Sequence, residues 1–140
     1  MVAGVKKLAE GWEYDAVSIG YPGPVREGRP AVEPHNLARG WVGFDFEAAF
    51  GCPVKIINDA AMQAIGSYRR GAMLFLGLGT GLGAALVVEG TVVPLELGHL
   101  AIGKKRFEDD LGVGGLKRLG RKKWQKRVES ATKRFVSALL

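Results

Sequence analysis

Cysteine is almost absent. Cys52 is the only one, so no intrachain disulfide can form, and a reducing compartment is the simpler expectation. Histidine is scarce as well: His35 and His99 are the only two, and with one distant cysteine they make no compact zinc-ligand set. No apolar run approaches the roughly 18–20 residues needed to cross a bilayer. The opening Met-Val-Ala-Gly-Val-Lys-Lys lacks the apolar core of a signal peptide. A cytoplasmic protein without a membrane partner is expected. Internal repeats and low-complexity segments are lacking, and a hydrophobic content of 47% argues against disorder.

What is present is charge, unevenly placed. The 140 residues carry a net charge of +6. Lys117 to Arg134 holds nine Lys or Arg and one acid, Glu129, which is +8 and leaves −2 for the rest. The body is nearly neutral and bears one basic segment. The length suits one domain or two small lobes.

Glycine is abundant and locally periodic. Between Met73 and Leu100, Gly77, Gly79, Gly81 and Gly83 occupy every second position around Thr80. Apolar runs on either side predict a hairpin, and Glu89-Gly90 predicts a second turn into a third strand. Glycines let backbone N–H groups approach a phosphate, and Thr80 adds a hydroxyl. A bare glycine-rich hairpin reads equally well from these residues alone.

Along the chain, residues 4–12 read as a helix with Val5, Leu8 and Ala9 on one face. Residues 15–20 read as a strand, and Tyr21-Pro-Gly-Pro as a turn. Residues 24–40 look like loop. Asp45 caps a short helix that Gly51 ends. Val54-Lys-Ile-Ile is a β-branched strand. A helix starts at Asn58-Asp59, with Ala60, Ala61, Ala64, Ile65 and Tyr68 as its buried stripe, and stops at Gly71. After the hairpin, Pro94 breaks a strand and residues 101–115 read as a polar loop. From Leu116 a helix or helix pair follows. Trp124, Val128, Ala131 and Phe135 lie on its apolar side, and Lys122, Lys126, Arg127, Lys133 and Arg134 on its polar side. The order implies an α/β architecture that divides near Arg70-Gly71, giving lobes 1–70 and 71–140.

Three places carry residues able to do chemistry. Asn58-Asp59 ends a strand and opens a helix, at the sheet edge where α/β proteins bind ligands. The helix N-terminus favours an ionised Asp59, which can accept a proton from a substrate hydroxyl. The same dipeptide is also the usual kind of cap. Glu96 and His99, three apart across a glycine, are able to converge on sugar hydroxyls, but a lone histidine is equally a structural one. The basic helix reads either as a solvated face or as a track for a polyanion, and no aromatic platform or reading motif supports nucleic acid.

Five ordered blocks, taken together, resemble the ROK sugar-kinase family over about residues 15–140. They are Tyr-Pro-Gly-Pro-Val, His-Asn-Leu-(x)2-Gly-Trp-Val-Gly, Val-Lys-Ile-Ile-Asn-Asp-Ala, Leu-Gly-Leu-Gly-Thr-Gly-Leu-Gly-Ala-Ala-Leu and Pro-Leu-Glu-Leu-Gly-His-Leu. Within it the chain is most similar to the polyphosphate/ATP glucokinases, a likeness that Phe-Glu-Asp-Asp-Leu-Gly and Arg-Leu-Gly-Arg-Lys-Lys-Trp share. The resemblance implies part of an actin-like, ribonuclease H-like fold, a sheet with flanking helices. It implies that Asp59 is the base for the 6-hydroxyl of glucose. Asn58, Asn36, Glu96, His99 and Glu108 would contact the sugar. Gly79, Thr80 and Gly81 would bind phosphate, and Lys122, Lys123, Lys126 and Arg127 would follow polyphosphate. Mg²⁺ would accompany polyphosphate or ATP, without structural zinc, in a homo-oligomer such as a dimer.

The chain departs from the family pattern at both ends. It shows no Asp-x-Gly-Gly-Thr loop, and it stops at Leu140 ahead of the Gly-Gly-Gly segment that the family carries. The expectation is an internal portion of a sugar kinase with slow turnover or none. The alternatives are a non-catalytic sugar-binding or assembly module, and a polyanion or nucleic-acid binder acting through the basic helix.

Overall fold

A computed structural model describes residues 1–34 and 37–140, which form two compact units, Met1–Asp59 and Ala60–Leu140. The division falls ahead of Arg70-Gly71, because the alanines of the helix after Asp59 pack into the core of the second unit.

In the first unit, α1 (Val2–Leu8) buries no side chain, and Leu8 is exposed rather than part of an apolar face. Strand β1 (Val17–Tyr21) pairs in parallel with β4 (Val54–Asn58), with Val17 opposite Val54 and Tyr21 opposite Asn58. The C-terminal ends of both strands therefore lie side by side. Between them, residues 24–40 are not all loop. β2 (Val25–Arg26) and β3 (Arg29–Pro30) form a small hairpin, and its turn residues Glu27 and Gly28 both have positive φ, 50° and 73°. That backbone twist matches a two-residue hairpin turn, which Glu-Gly supplies. Helix α2 (Phe46–Phe50) is capped as its sequence predicts. The Asp45 carboxylate accepts the Ala48 N–H at 2.9 Å, and Gly51 closes the helix at φ 76°. Tyr21, Phe46, Phe50 and Ile56 make the core.

The second unit is built on an antiparallel sheet of β5 (Ala72–Leu78), β6 (Leu82–Val88) and β7 (Thr91–Leu95), in that spatial order. Glu89 and Gly90 take φ of 48° and 80° in the second turn. Strand β6 is central and buried on both faces. Ala85 and Val87 meet Ala61 and Ala64 of α3 (Asp59–Ser67) on one side. Leu82 and Ala84 meet Leu97, Phe107, Leu111, Ala131 and Phe135 on the other. Two-sided burial explains why β6 reads as an apolar run rather than an alternation.

Four sequence expectations are corrected here. Helix α3 ends at Ser67 rather than Gly71, and Ile65 is 49% exposed, off the buried stripe. Tyr68 packs against the Ala61 and Ala64 cluster as expected and also ties the next turns: its O–H donates to the Gly71 carbonyl at 3.0 Å and accepts the Gly90 N–H at 3.1 Å. Pro94 does not break its strand. It lies within β7 opposite Ala85, on an edge strand whose outer side does not need the missing N–H. Residues 101–115 are not a loop. After a 3₁₀ turn at Leu97–His99 come β8 (Ala101–Ile102), β9 (Lys105–Arg106), α4 (Phe107–Leu111) and the start of α5 (Val113–Leu119). Phe107 and Leu111, four apart, both enter the core, and the Asp109 carboxylate accepts the Arg106 N–H at 2.8 Å. Polar composition concealed a short helix with two anchors.

The C-terminal segment is the helix pair that its periodicity suggests. Gly120, at φ 73°, separates α5 from α6 (Arg121–Leu139). Ala131 and Phe135 are buried, Val128 packs beside them, and the Phe107 and Phe135 rings are 4.7 Å apart. The Trp124 indole N–H donates to the Leu111 carbonyl at 2.9 Å, satisfying an orphan group at the end of α4. Phe135→Ala is expected to destabilise the second unit by about 3–5 kcal/mol. Denaturant unfolding followed by near-ultraviolet circular dichroism measures this, and a loss below about 1 kcal/mol would mean that α6 is not anchored through Phe135.

Candidate functional site

In the second unit, the turn Gly79-Thr80-Gly81 links β5 to β6 and is braced from outside. The Val113 N–H donates to the Gly79 carbonyl at 2.8 Å. A Cβ on Gly112 would lie 2.6 Å from the Thr80 carbonyl, so the α4–α5 junction can approach the turn only because Gly112 has no side chain. The close approach brings α4 to the same place, and a Cβ on Gly81 would lie 3.1 Å from Glu108 Oε2.

Glu96, His99 and Glu108 come together beside that turn. His99 Nδ1 lies 3.5 Å from Glu96 Oε2, and His99 Nε2 lies 3.9 Å from Glu108 Oε2. The imidazole therefore stands between two carboxylates. Glu96 and His99 are each 56% exposed and remain open to a ligand, while Glu108 is 28% exposed. Arg106 Nη1 is 3.5 Å from Glu108 Oε1. Thr80, Gly81, Lys105, Glu108, Asp109, Gly114 and Arg118 line an open cleft of about 390 Å³. Its mixed donors and acceptors suit a neutral polyhydroxyl ligand or an anion held by few cations.

Asp110, which the sequence reading passed over, organises the surroundings. Its carboxylate meets Lys105 Nζ at 3.5 Å, Arg118, and Arg127 Nε at 4.0 Å, joining α4 to β9, α5 and α6. Arg118 also donates to the Asp109 carbonyl at 2.8 Å. Lys122, Lys123, Lys126 and Arg127 are all exposed along α6, with Arg127 leaning towards Asp110.

In the first unit, Asn58 ends β4 and the half-buried Asp59 heads α3. The Asn58 side-chain N–H donates to the Gly23 carbonyl at 3.2 Å, joining the ends of both parallel strands. Asn36 lies outside the described residues. Glu33, a second residue that sequence reading missed, accepts backbone N–H groups from Gly40 at 3.0 Å, Trp41 at 3.1 Å and Val42 at 3.2 Å. Only its position before Pro34 in a loop-like stretch hinted at a special role. The Trp41 amide, then those of Val42 and Gly40 and the Arg39 charge, hold the Glu33 carboxyl below the usual carboxylate range, with partial desolvation opposing them. Burial, reinforced by the Glu33 charge, pushes the Tyr21 phenol up.

Because the folded Glu33 is the stronger acid, its contribution is fully present above the ordinary carboxylate pKa. It is lost as pH falls through the lower folded value. The amide resonances of Gly40, Trp41 and Val42 are expected to titrate together in that acid range. A shared midpoint at or above the ordinary glutamate value would contradict the triple hydrogen bond.

Comparison with known proteins supplies the context. Residues 1–111 match the ROK family. A polyphosphate glucokinase of Mycobacterium tuberculosis is 32% identical over 128 residues, covering 77% of this chain and 47% of that protein. The crystal structure of an inorganic polyphosphate/ATP-glucomannokinase from an Arthrobacter strain aligns with a TM-score of 0.64 at 30% identity, over 85% of this chain and 52% of that one. A ROK family glucokinase from Streptomyces griseus, solved in complex with glucose and AMPPNP, aligns with a TM-score of 0.69 at 25% identity, over 93% and 50%. The chain thus spans about half the length of the curated relatives it matches. Its sheets and flanking helices are part of the actin-like fold of ROK sugar kinases. The chain belongs to the ROK family.

Proposed function

We propose that the chain is the sugar-handling part of a glucokinase that moves a phosphoryl group from polyphosphate or ATP to the 6-hydroxyl of glucose. The observation that carries this reading is the meeting of Glu96, His99 and Glu108 beside the Gly79-Thr80-Gly81 turn. Two carboxylates and an imidazole offer acceptors and a donor in the pattern that adjacent sugar hydroxyls need. Exposed backbone N–H groups at a glycine turn suit a phosphoryl group. The names of the relatives, a polyphosphate glucokinase and a polyphosphate/ATP-glucomannokinase, point to the same substrates.

In this reading Asp59 accepts the proton of the attacking hydroxyl as the O–P bond forms, and Asn58 and Asn36 contact the sugar. Phosphoryl transfer requires positioning and charge neutralisation more than covalent chemistry. A divalent cation neutralises phosphoryl oxygens when it is bound. Among the described residues no group of three or more His, Cys, Asp or Glu is able to hold a metal, so Mg²⁺ would arrive on the donor's own oxygens. Lys122, Lys123, Lys126 and Arg127 would extend the donor site for a linear polyphosphate. The homo-oligomer and the cytoplasmic location belong to the same proposal.

A coupled assay for glucose 6-phosphate with each donor tests the reading. Measurable turnover is expected, and Asp59→Asn is expected to lower it by about 10²–10⁴-fold while glucose affinity changes little. Glucose binding without turnover at high protein concentration would instead identify a sugar-binding module. Polyphosphate affinity is expected to fall steeply with salt, and replacing Lys122, Lys123 and Lys126 by Gln is expected to reduce the logarithmic salt slope by about 2. An unchanged slope would remove α6 from the donor site.

A further inference from the structure

Residues 31–34 and 37–44 contain little regular structure, so their backbone N–H groups take partners from elsewhere. Three of them converge on one side chain. Glu33 Oε2 takes the Gly40 and Trp41 N–H groups, and Oε1 takes that of Val42. Gly40 turns the chain there at φ 103°, a conformation that suits glycine alone. A carboxylate bridging three consecutive amides resembles an anion in a backbone nest, here supplied by the chain itself.

The consequence reaches the end of β1. Holding the Trp41 backbone places its side chain where its ring packs 5.5 Å from the Tyr21 ring and 5.9 Å from that of Phe46. Tyr21 is fully buried, and its O–H donates to the Val32 carbonyl at 2.6 Å, next to Glu33. The Tyr21 ring in turn decides where the following turn runs. A Cβ on Gly23 would lie 3.1 Å from Tyr21 Cε1, so Gly23 rests directly against the ring. The Gly23 carbonyl then accepts the Asn58 side-chain N–H.

We infer that Glu33 is a positioning residue for sugar binding: by gathering the amides of Gly40, Trp41 and Val42 it seats Trp41 on Tyr21, and through Gly23 it sets the rotamer of Asn58. The inference rests on the sugar-kinase reading above. Glu33 does not touch substrate in this account. It determines whether Asn58 is already in place when the sugar arrives, so its loss weakens binding rather than the phosphoryl step. The titratable and charged groups near it are Arg39, which supports the carboxylate, and the neutral Tyr21 phenol.

Glu33→Gln tests this in the full chain. An amide has one acceptor oxygen and places an N–H₂ group where the second carboxylate oxygen was. At neutral pH, hydrogen exchange at Gly40, Trp41 and Val42 is expected to accelerate about tenfold or more, and the glucose dissociation constant to rise about tenfold. Where turnover is measured, KM for glucose rises and kcat stays within about twofold. Glu33→Asp, which keeps the charge on a shorter arm, is expected to fall between the two and guards against a variant that fails to fold. Faster exchange with unchanged glucose affinity would overturn the inference and leave the sugar-kinase reading standing, as would unchanged exchange. Failure of the unmodified chain to bind glucose would overturn the reading itself, and the inference with it.

Discussion

The second unit depends on how closely helices can approach β6. Gly83, Ala85 and Val87 give β6 little side-chain bulk towards α3. A Cβ on Gly83 would lie 3.0 Å from that of Ala60, so helix and strand touch nearly backbone to backbone. The opposite face takes Phe107, Leu111, Ala131 and Phe135. A sheet of three strands is marginal alone, and covering both faces of its middle strand is what makes it a platform. The turn between β5 and β6 therefore projects from the best-buried strand of the unit. Its Gly79 carbonyl and its Thr80 backbone are braced by α5 and Gly112. A ligand meeting that turn would meet backbone already ordered by the core, with less conformational entropy left to lose.

Electrostatics divides the cations of the second unit into two populations. Lys105, Arg118 and Arg127 gather around Asp110, whose side chain is 17% exposed, and hold α4, α5 and α6 together. Each such pair contributes at most about 1 kcal/mol at a partly exposed site, but a shared carboxylate couples them. Lys122, Lys126 and Lys133 fall on the side of α6 away from Ala131 and Phe135 and are exposed. A charge of +8 in sequence thus mixes structural cations with solvent-facing ones. The second kind is suited to attract a polyanion, and Arg127, whose side chain is 60% exposed, belongs to both groups.

Much of the fold was legible in the sequence. Asp45 and Gly51 marked α2 by capping chemistry, Glu89-Gly90 marked a turn, and the four-three-four spacing from Trp124 to Phe135 marked α6. These are local signals, fixed by residues close in sequence. The errors arose where tertiary partners decide. Pro94 looks like a breaker until β7 is known to be an edge. Residues 101–115 look like loop because their two anchors, Phe107 and Leu111, are outnumbered by charges and glycines. Glu33 and Asp110 were illegible for a stricter reason. Their partners lie seven to nine residues away for Glu33, and on three different elements for Asp110.

Partner type also separates structural acids from those free for chemistry. Asp45, Asp109 and Glu47 accept backbone N–H groups of Ala48, Arg106 and Val54, and Glu33 accepts three. An acid that satisfies backbone donors in this way is held in place by them, each bond contributing about 0.5–1.5 kcal/mol, although water can take over the exposed ones. Asp110 is neutralised by cations and is equally committed. Glu96 and Glu108 differ, although Glu108 also meets Arg106 Nη1 at 3.5 Å. They face an imidazole at 3.5 and 3.9 Å, distances at which a hydroxyl can insert and exchange one weak contact for two good ones. What distinguishes the trio is its partner: both carboxylates face one exposed imidazole beside the Gly79-Thr80-Gly81 turn. A ligand that closes those gaps gains directed hydrogen bonds, and the protein surrenders little in return.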